Sequence, residues 1–164
     1  MNGETFERYA EKFTTFLLSE VLPIFTGGFF GRSVGVTEKP REGMEAELVS
    51  GVDAKIRASF KEFLFLRFPR CEFVGEEGKK GCWPPKTNLA AIVDPWDGTH
   101  NGLAGLPTYG SQCALIENGE VVMSAILLVA QQIMTQDGIY VTGQGQGAWR
   151  IHGEGEHKHL SIEK

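Results

Sequence analysis

The sequence lacks the features that would place it in several large classes of protein. Its three cysteines, Cys71, Cys82 and Cys113, are odd in number and form no C-x-x-C pair, so neither a disulfide framework nor a zinc cluster is expected. All three read as reduced thiols of a cytoplasmic protein, where disulfides are rare. No basic segment followed by an apolar core stands at the N-terminus, so no signal peptide is expected. The longest apolar run, 121–130, is about half of what a helix needs to cross a bilayer, so no membrane partner is expected. Positive charge is not in excess either: 16 Lys and Arg face 21 Asp and Glu, for a net charge of −5. Nucleic-acid-binding surfaces concentrate Lys and Arg, so no nucleic acid is expected, and the partner should be small or a metal-neutralised anion. There is no internal repeat and no low-complexity tract. What remains is one domain over 1–164, long enough to bury about two-thirds of its unfolded surface.

Taken in order, the chain starts with Phe6, Tyr9, Ala10, Phe13, Phe16, Leu17 and Val21 at the three-four spacing of one helical face. Pro23 and the pair Gly27-Gly28 are expected to close that helix. The glycine-rich passage 31–43 reads as a loop or a ragged hairpin. Ser50 and Asp53 have the form of a capping box, and Ile56, Phe60, Phe63, Leu64 and Phe68 predict a second amphipathic helix that ends before Pro69. Residues 71–74 are a short strand candidate, followed by an exposed loop over 79–88. Two strands, 109–117 and 120–130, are joined by Asn118-Gly119, a strong hairpin signal. A strand over 138–142, then a turn and a last strand over 143–150, complete the pattern. The expected fold is α+β, two N-terminal helices packed on a mainly antiparallel sheet.

The chemistry concentrates at Asp94-Pro95-Trp96-Asp97-Gly98-Thr99, reached directly from the apolar run 89–93. A short apolar run bounded by turn residues reads as a buried strand, which puts Asp94 at its carboxyl end. Carboxylate oxygens suit a hard divalent cation, and Gly98 lets the backbone approach an anionic group. Taken alone, Asp-Pro-x-Asp-Gly is equally an ordinary turn. A second acidic pair, Glu76-Glu77, also follows a short strand and is flanked by Gly75 and Gly78; alone, it could be a solvated surface pair. Together the four carboxylates form a candidate site for two cations, which in phosphoryl-transfer enzymes lie ~3.5–4 Å apart.

Gly75-Glu76-Glu77, the segment from Asp94 to Asn101 and Gly145-Gln146-Gly147-Ala148-Trp149 resemble, in order and spacing, the inositol monophosphatase family of magnesium-dependent, lithium-sensitive phosphatases. The segment ending at Asp53 and Phe68-Pro69 match as well, so the similarity covers roughly residues 39–150. The resemblance implies the first half of a layered sugar-phosphatase fold and magnesium-dependent hydrolysis of an inositol, sugar or nucleotide phosphate by metal-activated water. It implies metal ligation by Glu76, Glu77, Asp94, the Trp96 carbonyl and Asp97, with Asp94 bridging two ions and Glu76 helping to orient the attacking water. It places phosphate on the amides of Gly98 and Thr99. The Thr99 hydroxyl, held by Asp53, would orient the water or accept its proton. Asp53 also reads as a helix cap, and the two roles are compatible.

Three departures accompany these matches. The family usually has Thr-Asn-Phe after Gly-Thr, where this chain has His100-Asn101-Gly102. Arg57 stands where an acidic residue is common. The second family domain, with its Trp-Asp-x-Ala-Ala-Gly motif, is not in this sequence. Either the chain is a fragment, or the missing half is supplied by another chain, or the protein is a catalytically weak domain that acts through binding or homo-oligomer assembly. His100 is expected to be a hydrogen-bonding neighbour of the site, and His152, His157 and His159 to lie in a solvated tail.

Overall fold

A computed structural model describes residues 3–29, 36–39, 47–75, 87–152 and 156–160. Helix α1 (Gly3–Phe16) buries Phe6, Ala10, Phe13 and Phe16 along the face that the spacing marks out. The helix does not stop at Pro23 as expected. A π turn over Leu17–Val21 carries it into α2 (Leu22–Phe29), and the Leu22 amide donates to the Leu17 carbonyl five residues back. Pro23 directly follows this turn, where the hydrogen-bond ladder has already shifted to the five-residue pattern. Val21 and Phe25 stay buried on both sides of this adjustment.

Strands β1 (Val36–Lys39) and β2 (Glu47–Ser50) pair antiparallel, so the ragged hairpin of the sequence has a real ladder. Val49 and Ser50 close β2, and α3 (Gly51–Arg67) begins directly after Ser50, ending ahead of Pro69. Its Ile56, Phe60 and Leu64 are buried against α1 and the sheet. The layer between the helices is aromatic: Phe13 meets Phe63 edge-on at 5.0 Å, and Phe16 stacks on Phe63 at 4.3 Å. Burying a Phe side chain stabilises by about 1.5–3 kcal/mol, so this row is a large part of what holds the helices together.

The main sheet has seven strands in sequence order: β3 (Glu72–Gly75), β4 (Leu89–Asp97), β5 (Gly110–Glu117), β6 (Glu120–Leu128), β7 (Ile139–Gly143), β8 (Gly147–His152) and β9 (Glu156–Leu160). Only β3 and β4 run parallel; every later neighbour is antiparallel. The β5–β6 turn is Asn118-Gly119, with φ of 53° and 85°, the left-handed pair that a two-residue hairpin requires. Alternation along β5 turns Ser111, Cys113 and Leu115 toward the helices. Burial pushes the Cys113 thiol up to about 12; burial, with Glu72 adding to it, pushes Cys71 up to about 11. Both are free thiols, and Cys82 lies outside the described residues.

Two further expectations are corrected. The strand expected to run to residue 130 ends at Leu128, and a short helix, α5 (Val129–Thr135), follows it. The tail is not a solvated loop throughout: His152 ends β8, and β9 carries His157 and His159 as the sheet's edge strand. His159 registers opposite Trp149 on β8, and its ring packs edge-on against that indole at 4.7 Å.

Candidate active site

The strand that delivers Asp94 is longer than the apolar run and is broken by a bulge. Asp94 pairs with Gln112 and Asp97 with Gly110, so three steps on β4 answer two on β5. A bulge re-aims the side chains beside it. Here it leaves Asp94 half-buried, Pro95 and Trp96 buried and Asp97 exposed. The buried Ser111 hydroxyl donates to the Asp94 carbonyl across the strands at 3.4 Å. In the parallel neighbour, Gly75 registers with Val93, the residue before Asp94. Glu76 and Glu77, the next residues after Gly75, lie outside the described residues.

Past the bulge the backbone turns at Gly98 with φ of 75°. A side chain here would be strained by that angle, and its Cβ would lie 2.7 Å from the Thr108 carbonyl oxygen. Thr99 opens the short helix α4 (Thr99–Leu103) and its Oγ1 donates to the Trp96 carbonyl at 2.7 Å. Asn101 ties the far side down by donating from Nδ2 to the Thr108 carbonyl at 2.9 Å. Helix α4 packs beside β2, and β2 leads straight into α3, whose first turn holds the buried Asp53. The elements carrying Asp53, Asp94 and Thr99 therefore adjoin. His100 is exposed on α4.

The donors brought together by β4 are all oxygens, Asp94, Asp97 and the Trp96 carbonyl, the kind that magnesium takes. Among the described residues no group of three or more His, Cys, Asp or Glu side chains converges on one point, so any complete metal shell draws on residues beyond them. The carbonyl of Trp96 has a second lone pair besides the one that accepts from Thr99. Ser111 was not anticipated as a site residue. Its signal was a polar residue in the core-facing phase of an apolar strand, since such a group needs a hydrogen-bond partner.

The sequence profile of the inositol monophosphatase family matches residues 12–163. The chain belongs to this family. It is 36% identical over 108 residues to the inositol-1-monophosphatase of Rhizobium meliloti, covering 63% of this chain and 37% of that protein. It is 30% identical over 112 residues to the fructose-1,6-bisphosphatase/inositol-1-monophosphatase of Aquifex aeolicus, covering 68% and 40%. An IMPase of Thermotoga maritima superposes with a TM-score of 0.65 at 26% identity, over 86% of this chain and 49% of that one. An IMPase/NADP phosphatase in complex with NADP and Ca2+ gives a TM-score of 0.70 at 21% identity, over 88% and 51%. The chain thus spans about half the length of these solved inositol monophosphatase structures and less of the curated relatives. At Gly102 the Trp96 indole occupies the space that a Cβ would need.

Proposed function

We propose that this chain is the metal- and phosphate-binding portion of a magnesium-dependent phosphomonoesterase. The observation that carries the reading is the order of groups at the end of β4, in a chain of this family: Asp94, the Trp96 carbonyl and Asp97, then the left-handed Gly98 and Thr99. The curated relatives named as inositol-1-monophosphatases support a small phosphate monoester as substrate class.

In this reading Asp94, Asp97 and the Trp96 carbonyl, joined by Glu76 and Glu77, hold magnesium. When bound, magnesium screens the charge of the ester and lowers the pKa of a coordinated water. The amides of Gly98 and Thr99 receive the phosphate oxygens, in the manner of exposed N–H groups in a turn. The Thr99 hydroxyl donates its proton to the Trp96 carbonyl, which leaves the Oγ1 lone pairs as acceptors suited to orient a water; taking that water's proton would require Thr99 to pass its own to the Asp53 carboxylate. Asp53, buried at the start of α3 beside this segment, caps its own helix and holds the Thr99 hydroxyl once that proton turns from the Trp96 carbonyl to its carboxylate. Positioning and charge stabilisation do most of the work in phosphoryl transfer, so no covalent intermediate or organic cofactor enters.

The test is phosphate release from a panel of inositol, sugar and nucleotide monophosphates, with and without magnesium. Asp94→Asn is expected to abolish the magnesium-stimulated part while the protein keeps its circular dichroism. A folded chain that shows no magnesium-stimulated release on any of the panel is not the enzyme by itself.

A further inference from the structure

Gly102 is buried in α4 with ordinary helical backbone, so no positive φ demands a glycine there. Space demands it instead. A Cβ at Gly102 would lie 2.5 Å from Trp96 Cζ2 and 3.0 Å from Cε2 and Nε1. The indole has no room to retreat: Trp96 is 2% exposed, with Phe25 edge-on at 5.7 Å and Tyr109 at 6.2 Å. The backbone of the same residue is equally tied, because its carbonyl accepts from Thr99 Oγ1 at 2.7 Å.

We propose that Trp96 and Gly102 form a lock between the β4 bulge and α4, and that both are positioning residues for the site. The indole seats on bare glycine backbone and so sets the spacing between the bulge and the helix. That spacing in turn fixes where the Trp96 carbonyl, Gly98 and Thr99 stand relative to Asp94. The two positions share one volume, so bulk can be exchanged between them. Close packing makes such an exchange tolerable only when both sides change together. What the positioned atoms do rests on the proposed function; the lock itself does not.

The two claims separate in a double-mutant cycle on the metal-free chain, read by amide hydrogen exchange. The Gly102 amide donates to the Gly98 carbonyl and the Ala104 amide to the His100 carbonyl, each at 3.0 Å, so these two amides report on α4. Trp96→Ala is expected to speed their exchange roughly tenfold more than that of the β6 amides. Gly102→Phe alone is expected to do the same, and the double variant Trp96→Ala/Gly102→Phe to return toward wild type. Trp96→Phe, the milder change, keeps the test alive if Trp96→Ala does not fold; it should give a smaller but local effect. Equal acceleration in α4 and β6, or a double variant no slower than either single one, overturns the lock. Mn2+ titration followed by electron paramagnetic resonance supplies the second arm. Affinity should fall roughly tenfold in Trp96→Ala and recover in the double variant. If Mn2+ binds with unchanged affinity to Trp96→Ala, the positioning role fails. If the wild-type chain binds no Mn2+, the proposed function fails, while the exchange data still decide the lock.

Discussion

At the scale of single residues, the site depends on a few positions where only one residue type fits. Gly98 and Gly105 have nearly the same left-handed backbone, φ of 75° and 74°, but different surroundings. A Cβ at Gly98 meets the Thr108 carbonyl at 2.7 Å, whereas at Gly105 it meets nothing within 4 Å. Gly105→Ala is therefore predicted to cost only the backbone strain, about 1–2 kcal/mol. Gly98→Ala adds the collision and is predicted to cost at least about 2 kcal/mol, a melting-temperature loss of roughly 4–8 °C. Equal losses in thermal melts of the two variants would show that the Thr108 contact yields freely. The strand end at Asp94 and the left-handed turn at Gly98 were legible in the sequence, because an apolar run bounded by an Asp-Pro-x-Asp-Gly turn reads that way locally; the roles of Asp94, Asp97, Gly98 and Thr99 belong to the proposed function. Trp96 was legible only as a carbonyl in a motif. Its indole acts through contacts with Phe25, Gly102 and Tyr109, and no one-dimensional pattern records those.

At the scale of elements, the helix faces and the Asn118-Gly119 hairpin followed from local pattern, and the failures came where tertiary contacts overrode it. The π turn over Leu17–Val21 lets buried positions on both sides of Pro23 keep facing the core, an adjustment invisible to a rule that proline ends helices. Helix α5 continues an apolar run that reads as strand. What turns the chain is beyond that run: Gln136 adopts φ of 59°, and the buried Gly138 amide donates to Gln132 Oε1 at 2.9 Å. Asp137 pins this turn. It accepts from the Thr135 hydroxyl, accepts from Gln131 Nε2 at 3.1 Å and pairs with Arg150 of β8 at 3.1 Å. The Thr135 hydrogen bond first, then Gln131 and the nearby charges of Arg150 and His152, hold its carboxyl below the ordinary value against an opposing desolvation. A depressed carboxyl stabilises the fold above the unfolded pKa, and that stabilisation is lost as pH falls through the folded value. Asp137→Asn is thus predicted to lower stability at pH 7, with the gap to wild type narrowing below about pH 4, near the unfolded aspartate pKa. Urea melts across pH 3–7 check this; a gap that stays constant would mean that the charge contributes nothing.

At the scale of the whole molecule, the α+β class, with helices packed on a mainly antiparallel sheet, followed from the sequence, but the surface did not. Hydrophobic pattern says which residues can be buried, not which of them find cover. Leu106, Ile133 and Met134 are 51%, 50% and 79% exposed. Leu106 lies on the loop entering β5, and Ile133 and Met134 on the helix leaving β6. Gly110 of β5 pairs with both Asp97 and Leu128, so these side chains come from the segments that flank the end of the sheet bearing the site. Large apolar side chains left in water favour association. The second reading of the chain, a weakly catalytic domain that works through assembly, predicts such exposed apolar surface. Sedimentation velocity over a rising concentration series is predicted to show reversible self-association of the wild-type chain. Ile133→Glu combined with Met134→Glu should shift it back toward monomer without changing the melting temperature by more than about 2 °C, because exposed positions contribute little to stability. A wild-type chain that sediments as a single monomeric species at high concentration removes the assembly reading and leaves the phosphatase reading alone.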